Sequence, residues 1–332
     1  MAEVMIIGAG AAGLEAGLPL ARQGIASVIV EKAAEPGGQA RRYNCKAIDG
    51  FCQSCGVCLV HQKVARVREE ELIELHISSE VTGIERNRTG YSVTFRAGES
   101  VERLQVRSIL LALGLSLLPL DRKGEFGYAR LPGVITAVEL ETIMREVPES
   151  LGPAPRVAFI QCTGSRDTRG GVPYCSRVCC FYVPKLAGLL RHRLPGARTD
   201  VFYMDRQRYE SIYQHRSPGI SYVRAMPGKV FPTSRGRLEL RYDNPATGAV
   251  TAEVYDWVIL CPPLLPGSDV AYLASLLGVN RDDHGFINVT GGVITNREGV
   301  FAAGACTAPM SILESITSGQ AAAGEMSRYL GV

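Results

Sequence analysis

Hydrophobic positions follow two rhythms along the chain. Val4-Met5-Ile6-Ile7 is an unbroken apolar run, as a parallel strand buried on both faces requires. A helical spacing follows through Leu14, Leu18 and Ala21 and stops at Gly24, and a second short strand covers Ser27–Val30. Leu110–Leu113 reads as another buried strand. The segments Ile77–Arg86, Tyr91–Arg96 and Glu102–Ile109 alternate and predict a small β-meander. In the middle of the chain, Arg156–Gln161, Asp200–Met204 and Trp257–Leu260 read as strands, with Trp257 a core aromatic. An apolar helical pattern runs from Val178 to Leu190. A last helix is signalled by Ile312, Ile316, Ala323 and Met326. Strand, helix, strand order predicts an α/β fold with parallel sheets.

The 332 residues suit two domains, each large enough to bury a core. Basic residues number 36 against 33 acidic, a balance that gives no support for a nucleic-acid or anionic-membrane partner. No apolar run reaches the roughly 18–20 residues of a membrane span. The first helical pattern begins only after a strand and a glycine loop, which argues against a secretory signal. The chain therefore reads as cytoplasmic. In a reducing compartment its ten cysteines are better explained as metal or redox ligands than as disulfide staples.

The first strand runs directly into Gly8-Ala9-Gly10-Ala11-Ala12-Gly13, the dinucleotide fingerprint in its strand–turn–helix setting. Gly8 permits the tight turn, Gly10 admits a pyrophosphate, and Gly13 lets helix and strand pack closely. The helix N-terminus offers unpaired N–H groups and a partial positive charge to phosphates. Glu31, 18 residues beyond Gly13, closes the second strand where a carboxylate accepts from a ribose diol and repels a 2′-phosphate. Pro36-Gly37-Gly38-Gln39 follows. This arrangement resembles the two-dinucleotide-binding-domain flavoproteins, which include thioredoxin and glutathione reductases, and that resemblance favours FAD over NAD. Leu110–Gly114 resembles the strand and glycine with which that family leaves its FAD domain. Gly299-Val300-Phe301-Ala302-Ala303-Gly304-Ala305-Cys306 resembles its second FAD motif. The family carries Asp at the position of Cys306, and a small buried thiol is the alternative there.

The resemblance implies two Rossmann-like domains of the thioredoxin-reductase type. One is a split FAD domain, 1–120 plus 268–332, with the meander. The other is a middle domain, 121–267. FAD contacts are implied at Gly8, Gly10, Ala11, Ala12, Gly13, Glu31, Lys32, Gly37, Gly38, Gln39, Ala112, Gly114, Gly304, Ala305 and Cys306.

The middle domain should repeat the glycine fingerprint for a nicotinamide cofactor. Instead Gln161-Cys162-Thr163-Gly164-Ser165-Arg166 follows the strand, and Cys175, Cys179 and Cys180 complete a C-x12-C-x3-C-C set. Four thiolates are the ligand set of a 4Fe–4S cluster. Cys175 and Cys179 share a helix face if Cys175 opens the helix, whose dipole, with Arg177, would stabilise thiolates. Zinc takes four ligands too, but an adjacent Cys-Cys pair suits a closed tetrahedron poorly.

A second group, Cys45, Cys52, Cys55 and Cys58, is spaced C-x6-C-x2-C-x2-C, with Gly56 relieving crowding. It admits a second 4Fe–4S cluster, a dithiol exchanging with the flavin, or zinc. His61 beside it and Lys185 beyond the vicinal cysteines read as surface residues. Lys63, Arg66 and Arg68 read as the solvated face of a helix ending in Glu69-Glu70-Glu71. His192, His215 and His284 show no catalytic spacing to a nucleophile.

The segments CTGSRD and PYCSRVCC, at that separation, resemble HdrA, the flavin-carrying component of heterodisulfide reductases. The cysteines that resemblance assigns to a cluster are Cys162, Cys175, Cys179 and Cys180. The methanogen-type HdrA proteins are larger, with an added N-terminal domain and ferredoxin modules. The match here is to the short form in heterodisulfide-reductase-like complexes of sulfur-oxidising prokaryotes. The resemblance implies an oxidoreductase subunit that couples two-electron FAD chemistry to one-electron cluster transfer. It also implies iron–sulfur partner subunits and a homodimer. The competing activity is an NAD(P)H-dependent thiol–disulfide oxidoreductase using Cys45, Cys52, Cys55 and Cys58.

Overall fold

The computed structural model describes residues 2–206 and 219–332. Its helices are α1 (Ala11–Arg22), α2 (Val57–Glu69), α3 (Ala137–Glu146), α4 (Cys179–Arg193), α5 (Val270–Leu277) and α6 (Ile312–Leu330). The chain forms two compact units. One comprises Met1–Arg41, Gly56–Ser116 and Leu265–Val332; the other comprises Arg42–Cys55 and Leu117–Leu264. The segment Arg42–Cys55 groups with the second unit, not with the N-terminal part where the sequence placed it.

In the first unit five parallel strands lie in the order Val300–Ala302, Ser108–Leu111, Val4–Ile7, Ser27–Val30, Ile73–His76. Val4–Ile7, Ser27–Val30 and Ser108–Leu111 are buried at every position, which explains why all but their opening serines are apolar. Leu14 and Leu20 of α1 and Met326 of α6 fill one face, while the other carries the meander and α5. The meander is observed as Ser79–Asn87, Gly90–Ala97 and Ser100–Val106, antiparallel throughout. The α6 N-terminus closes with a reciprocal capping box between Ser311 and Glu314.

The second unit holds another five-stranded parallel sheet, ordered Ile220–Val223, Arg198–Phe202, Arg156–Ile160, Trp257–Leu260, Val134–Thr136. An antiparallel sheet of Lys229–Pro232, Leu238–Asn244 and Ala249–Tyr255 accompanies it. The core on the α3 and α4 side contains Leu140, Phe159, Val183 and Leu186, together with three cysteines, Cys162, Cys179 and Cys261. Trp257 is half-buried at its edge and donates its indole N–H to the Leu151 carbonyl at 3.2 Å.

Candidate functional sites

In the first unit the glycine loop is built as its chemistry demands. A Cβ on Gly8 would stand 2.4 Å from the Ala112 carbonyl oxygen, and one on Gly13 would stand 1.9 Å from the Gly8 carbonyl oxygen. Both positions are closed to any side chain. Gly10 has open space where its Cβ would be, and it starts α1 without a side-chain cap. The first amides of α1, at Ala11, Ala12 and Gly13, are thus left for a ligand. Gly38 approaches the same point, its missing Cβ 3.1 Å from the Gly10 Cα, and Gly37 N–H donates to the Ala9 carbonyl at 2.7 Å. Gln39 follows in a short 3-10 turn. Ala112 and Gly114, the latter with a positive φ, lie just beyond the adjacent strand end.

The C-terminal motif meets this loop. A Cβ on Gly304 would stand 2.7 Å from the Ala12 Cβ, and one on Gly319 would stand 2.2 Å from the Ala12 carbonyl oxygen. Residues distant in sequence therefore pack as one cradle around the start of α1. A cradle of this kind, open at Gly10 and lined by backbone amides, fits the pyrophosphate of a dinucleotide.

Glu31, Lys32, Ala305 and Cys306 make contacts within the protein that the sequence pattern did not show. Glu31 is buried and spends both carboxylate oxygens on the backbone. Its Oε2 accepts from Ala9 N–H and its Oε1 from Ala33 N–H, each at 2.8 Å. It thus holds the glycine loop in place, and a ribose would find only its remaining lone pairs. Lys32, expected at the cofactor, instead pairs with Asp269 and donates to Ser268 Oγ at 2.9 Å. Ala305 and Cys306 are buried, and the Cys306 thiol donates inward to the Ala303 carbonyl at 3.2 Å and the Leu111 carbonyl at 3.4 Å. Burial pushes this thiol up to about 11, so it stays protonated. Any cofactor contact from this position is made by its backbone.

In the second unit Cys162 follows Arg156–Ile160 and is buried in one core with Cys179, with Cys180 packed against it, while Cys175 lies before the start of α4. Cys162 adopts a left-handed φ of 57°, as do Arg166 (57°) and Arg177 (63°). Three such non-glycine residues in one loop mark stored strain. The loop is nonetheless closely bonded: Val172 N–H donates to the Gly164 carbonyl at 2.8 Å and Arg166 N–H to the Tyr174 carbonyl at 3.0 Å. Arg177 N–H points at the Cys175 sulfur at 3.3 Å. The Cys179 thiol lies beside those of Cys162 and Cys180. The Cys162 contact, ahead of burial and the charges of Cys162 and Cys175, pushes it up to about 12 despite the opposing Cys180 contact.

The helix begins at Cys179, not at Cys175, which lies in the preceding turn. Cys162 and Cys175 thus lie in the loop, and Cys179 and Cys180 in the first turn of α4. Among the described residues no three His, Cys, Asp or Glu converge to hold a single metal ion. A cubane is ligated at four separate irons, so its thiolates need only surround it. An all-thiol donor set fits that group and suits a hard cation poorly.

Sequence reasoning missed Cys261. It follows Trp257–Leu260, is buried in the same core as Cys162 and Cys179, and exchanges hydrogen bonds with Thr163. Burial and the neighbouring Cys179 and Cys180 hold its thiol well above the usual range. Its position at a strand end beside the one that leads to Cys162 was the available signal.

The second group divides. Cys45, Cys52 and Cys55 belong to the second unit, while Cys58 is exposed on α2 of the first. Gly56 opens α2 in a left-handed conformation against Ile312, a packing role rather than relief among ligands. His61 is exposed. Lys63 is not simply solvated: it pairs with Glu15 of α1. Lys185 is buried, contrary to its surface reading. Its Nζ stands 3.3 Å from the Ser54 carbonyl oxygen and 3.2 Å over the Phe181 ring. Burial lowers its pKa to about 8, opposed by Cys55 and Cys52. His192 faces Asp49 at 3.7 Å, His284 is exposed, and His215 lies outside the described residues.

These features define a two-domain Rossmann-type fold of the thioredoxin-reductase class. Lactococcus lactis thioredoxin reductase superposes with a TM-score of 0.68 at 20% identity, covering 100% of this chain and 99% of that one. Residues 6–63 match the NAD(P)-binding Rossmann-like domain. The second A-type iron–sulfur subunit of the CoB–CoM heterodisulfide reductase of Methanopyrus kandleri is 32% identical over 70% of this chain and 38% of its own length. The A-type subunit of the ferredoxin:CoB-CoM heterodisulfide reductase of Methanosarcina mazei is 26% identical over 99% of this chain and 53% of its own. The chain belongs to the HdrA family of heterodisulfide reductases, and it spans 38% and 53% of the lengths of these two relatives.

Proposed function

We propose that this chain is the electron-transfer subunit, carrying FAD and a 4Fe–4S cluster, of a heterodisulfide-reductase-like complex. It works in sulfur oxidation, beside other iron–sulfur subunits and as a homodimer. The observation that carries the reading is the place of Cys162, Cys175, Cys179 and Cys180. The first of them follows the strand after which a nicotinamide-binding domain of this fold would have its glycine fingerprint, and Cys179 shares its core. FAD supplies paired-electron chemistry and a cluster single-electron transfer. The residues of the first unit bind and orient: Glu31 fixes the Ala9 amide, and the Gly10 gap and α1 amides receive the pyrophosphate. Those of the second unit present two thiols from a strained, bonded loop and two from the first turn of α4. No helix of the described residues is long and apolar enough to cross a membrane.

The test is anaerobic purification or reconstitution with flavin, iron and acid-labile sulfide analysis. The reading expects one flavin and about four irons per chain, the complement of one cubane, with slow oxidation of NADH and NADPH. An iron-free protein whose flavin is bleached at enzymatic rate by a reduced nicotinamide would establish the thiol–disulfide oxidoreductase instead.

A further inference from the structure

The turn carrying the first cysteine of the second group is held by a buried polar knot. Asn44 is 7% exposed and Lys46 1%, while Cys45 between them is exposed. Both flanking side chains end on Glu141 of α3, which is itself 0% exposed. Glu141 Oε2 accepts from the Asn44 backbone N–H at 2.9 Å and from Asn44 Nδ2 at 2.7 Å. Its Oε1 pairs with Lys46 Nζ and accepts the Tyr182 hydroxyl at 2.9 Å. Lys46 Nζ also donates to the Asn44 carbonyl at 2.9 Å, bridging over Cys45. The carboxylate and ammonium are thus both satisfied, as buried charges must be.

We propose that Glu141 is the positioning residue of the Cys45–Cys55 thiols: by gripping Asn44 and Lys46 it turns the Cys45 side chain between them outward. With the side chains on either side both drawn inward to Glu141, the one between them is left facing outward, as the exposure of Cys45 shows. The far end of the same segment is fastened separately. Lys185 binds the Ser54 carbonyl between Cys52 and Cys55. Between the fastenings, Ile48 and Phe51 pair across Asp49-Gly50, both with positive φ, in a tight hairpin turn. The segment is a display loop with its thiol direction set from the interior, whatever thiol-seeking group it meets. This inference does not depend on the cluster assigned to Cys162, Cys175, Cys179 and Cys180.

The experiment is timed alkylation of the reduced full chain by iodoacetamide, with each cysteine followed by peptide mass spectrometry. In the wild type, Cys45 should react at a rate comparable to exposed Cys58. In Glu141→Ala the stranded Lys46 must leave its buried place to reach water, and with neither neighbour held inward Cys45 is no longer held outward. Its rate should then fall at least fivefold relative to Cys58. General loosening would do the opposite, speeding buried Cys306 and Cys261. Glu141→Leu with Lys46→Ser strands no charge, so it keeps the test available if the first variant does not fold; the same slowing is expected. Glu141→Gln with Lys46→Met keeps the Asn44 grip and the buried volume, and should return Cys45 to within twofold of wild type. A Cys45 rate unchanged or faster in both the Glu141→Ala and the Glu141→Leu/Lys46→Ser proteins overturns the proposal.

Discussion

Gln161 donates its side-chain amide to the Cys179 carbonyl at 3.2 Å while its amide oxygen faces the Cys180 sulfur at 3.9 Å. A buried glutamine at the end of one strand therefore fixes the first turn of α4, and with it the spacing between Cys162 and the vicinal pair.

This tie sets the expected behaviour of the quartet. On the proposed reading, Cys162→Ser or Cys179→Ser should lower iron from about four per chain to near zero, while a flavin bound by the first unit is retained. Gln161→Leu keeps all four thiols but releases the helix start. It should load iron and lose it several-fold faster to a chelator, read as decay of the cluster absorbance.

The backbone contact of α6 with α1 gives a second expectation. Gly319→Ala places a methyl 2.2 Å from the Ala12 carbonyl oxygen. Two helices must separate, at about 1–3 kcal/mol for overpacking. Chemical denaturation should show that loss. The same variant should retain FAD poorly, because Ala12 belongs to the cradle.

Glu141 should be among the most sensitive positions for stability. Glu141→Ala strands the Lys46 charge, which must leave its buried place to reach water, a loss of about 3–5 kcal/mol. The paired Glu141→Gln/Lys46→Met change removes both charges and should restore most of it, since charge stranding rather than lost packing is the dominant effect. Urea midpoints of the three proteins decide this.

Alkaline pH tests Cys306. Its folded pKa, about 11, lies above the ordinary thiol value of 9.0. Between those values the unfolded chain has lost a proton that the folded chain keeps, so stability falls as pH rises. The contribution is complete below pH 9 and gone above about 11. Cys306→Ala should flatten the urea midpoint over this window relative to wild type. An unaltered slope would place the titration in other buried groups.

Local pattern alone determined much of this protein. The glycine fingerprint, the buried strands, the meander, α6 and the four cysteines near residue 170 were legible because each depends on neighbours within one turn or one strand. Burial on both faces leaves a continuous apolar run, and a tight turn leaves glycine. What only tertiary structure decided involves partners distant in sequence. Glu141 meets Asn44 across 97 positions and Lys185 meets Ser54 across 131, so neither lysine's burial nor the allegiance of Arg42–Cys55 to the second unit left a local trace. Lys46 and Lys185 look like surface residues by composition; they lie inside because a carboxylate and a carbonyl from remote elements accept their protons. Cys261 likewise became a neighbour of the quartet only when two parallel strands brought their ends together.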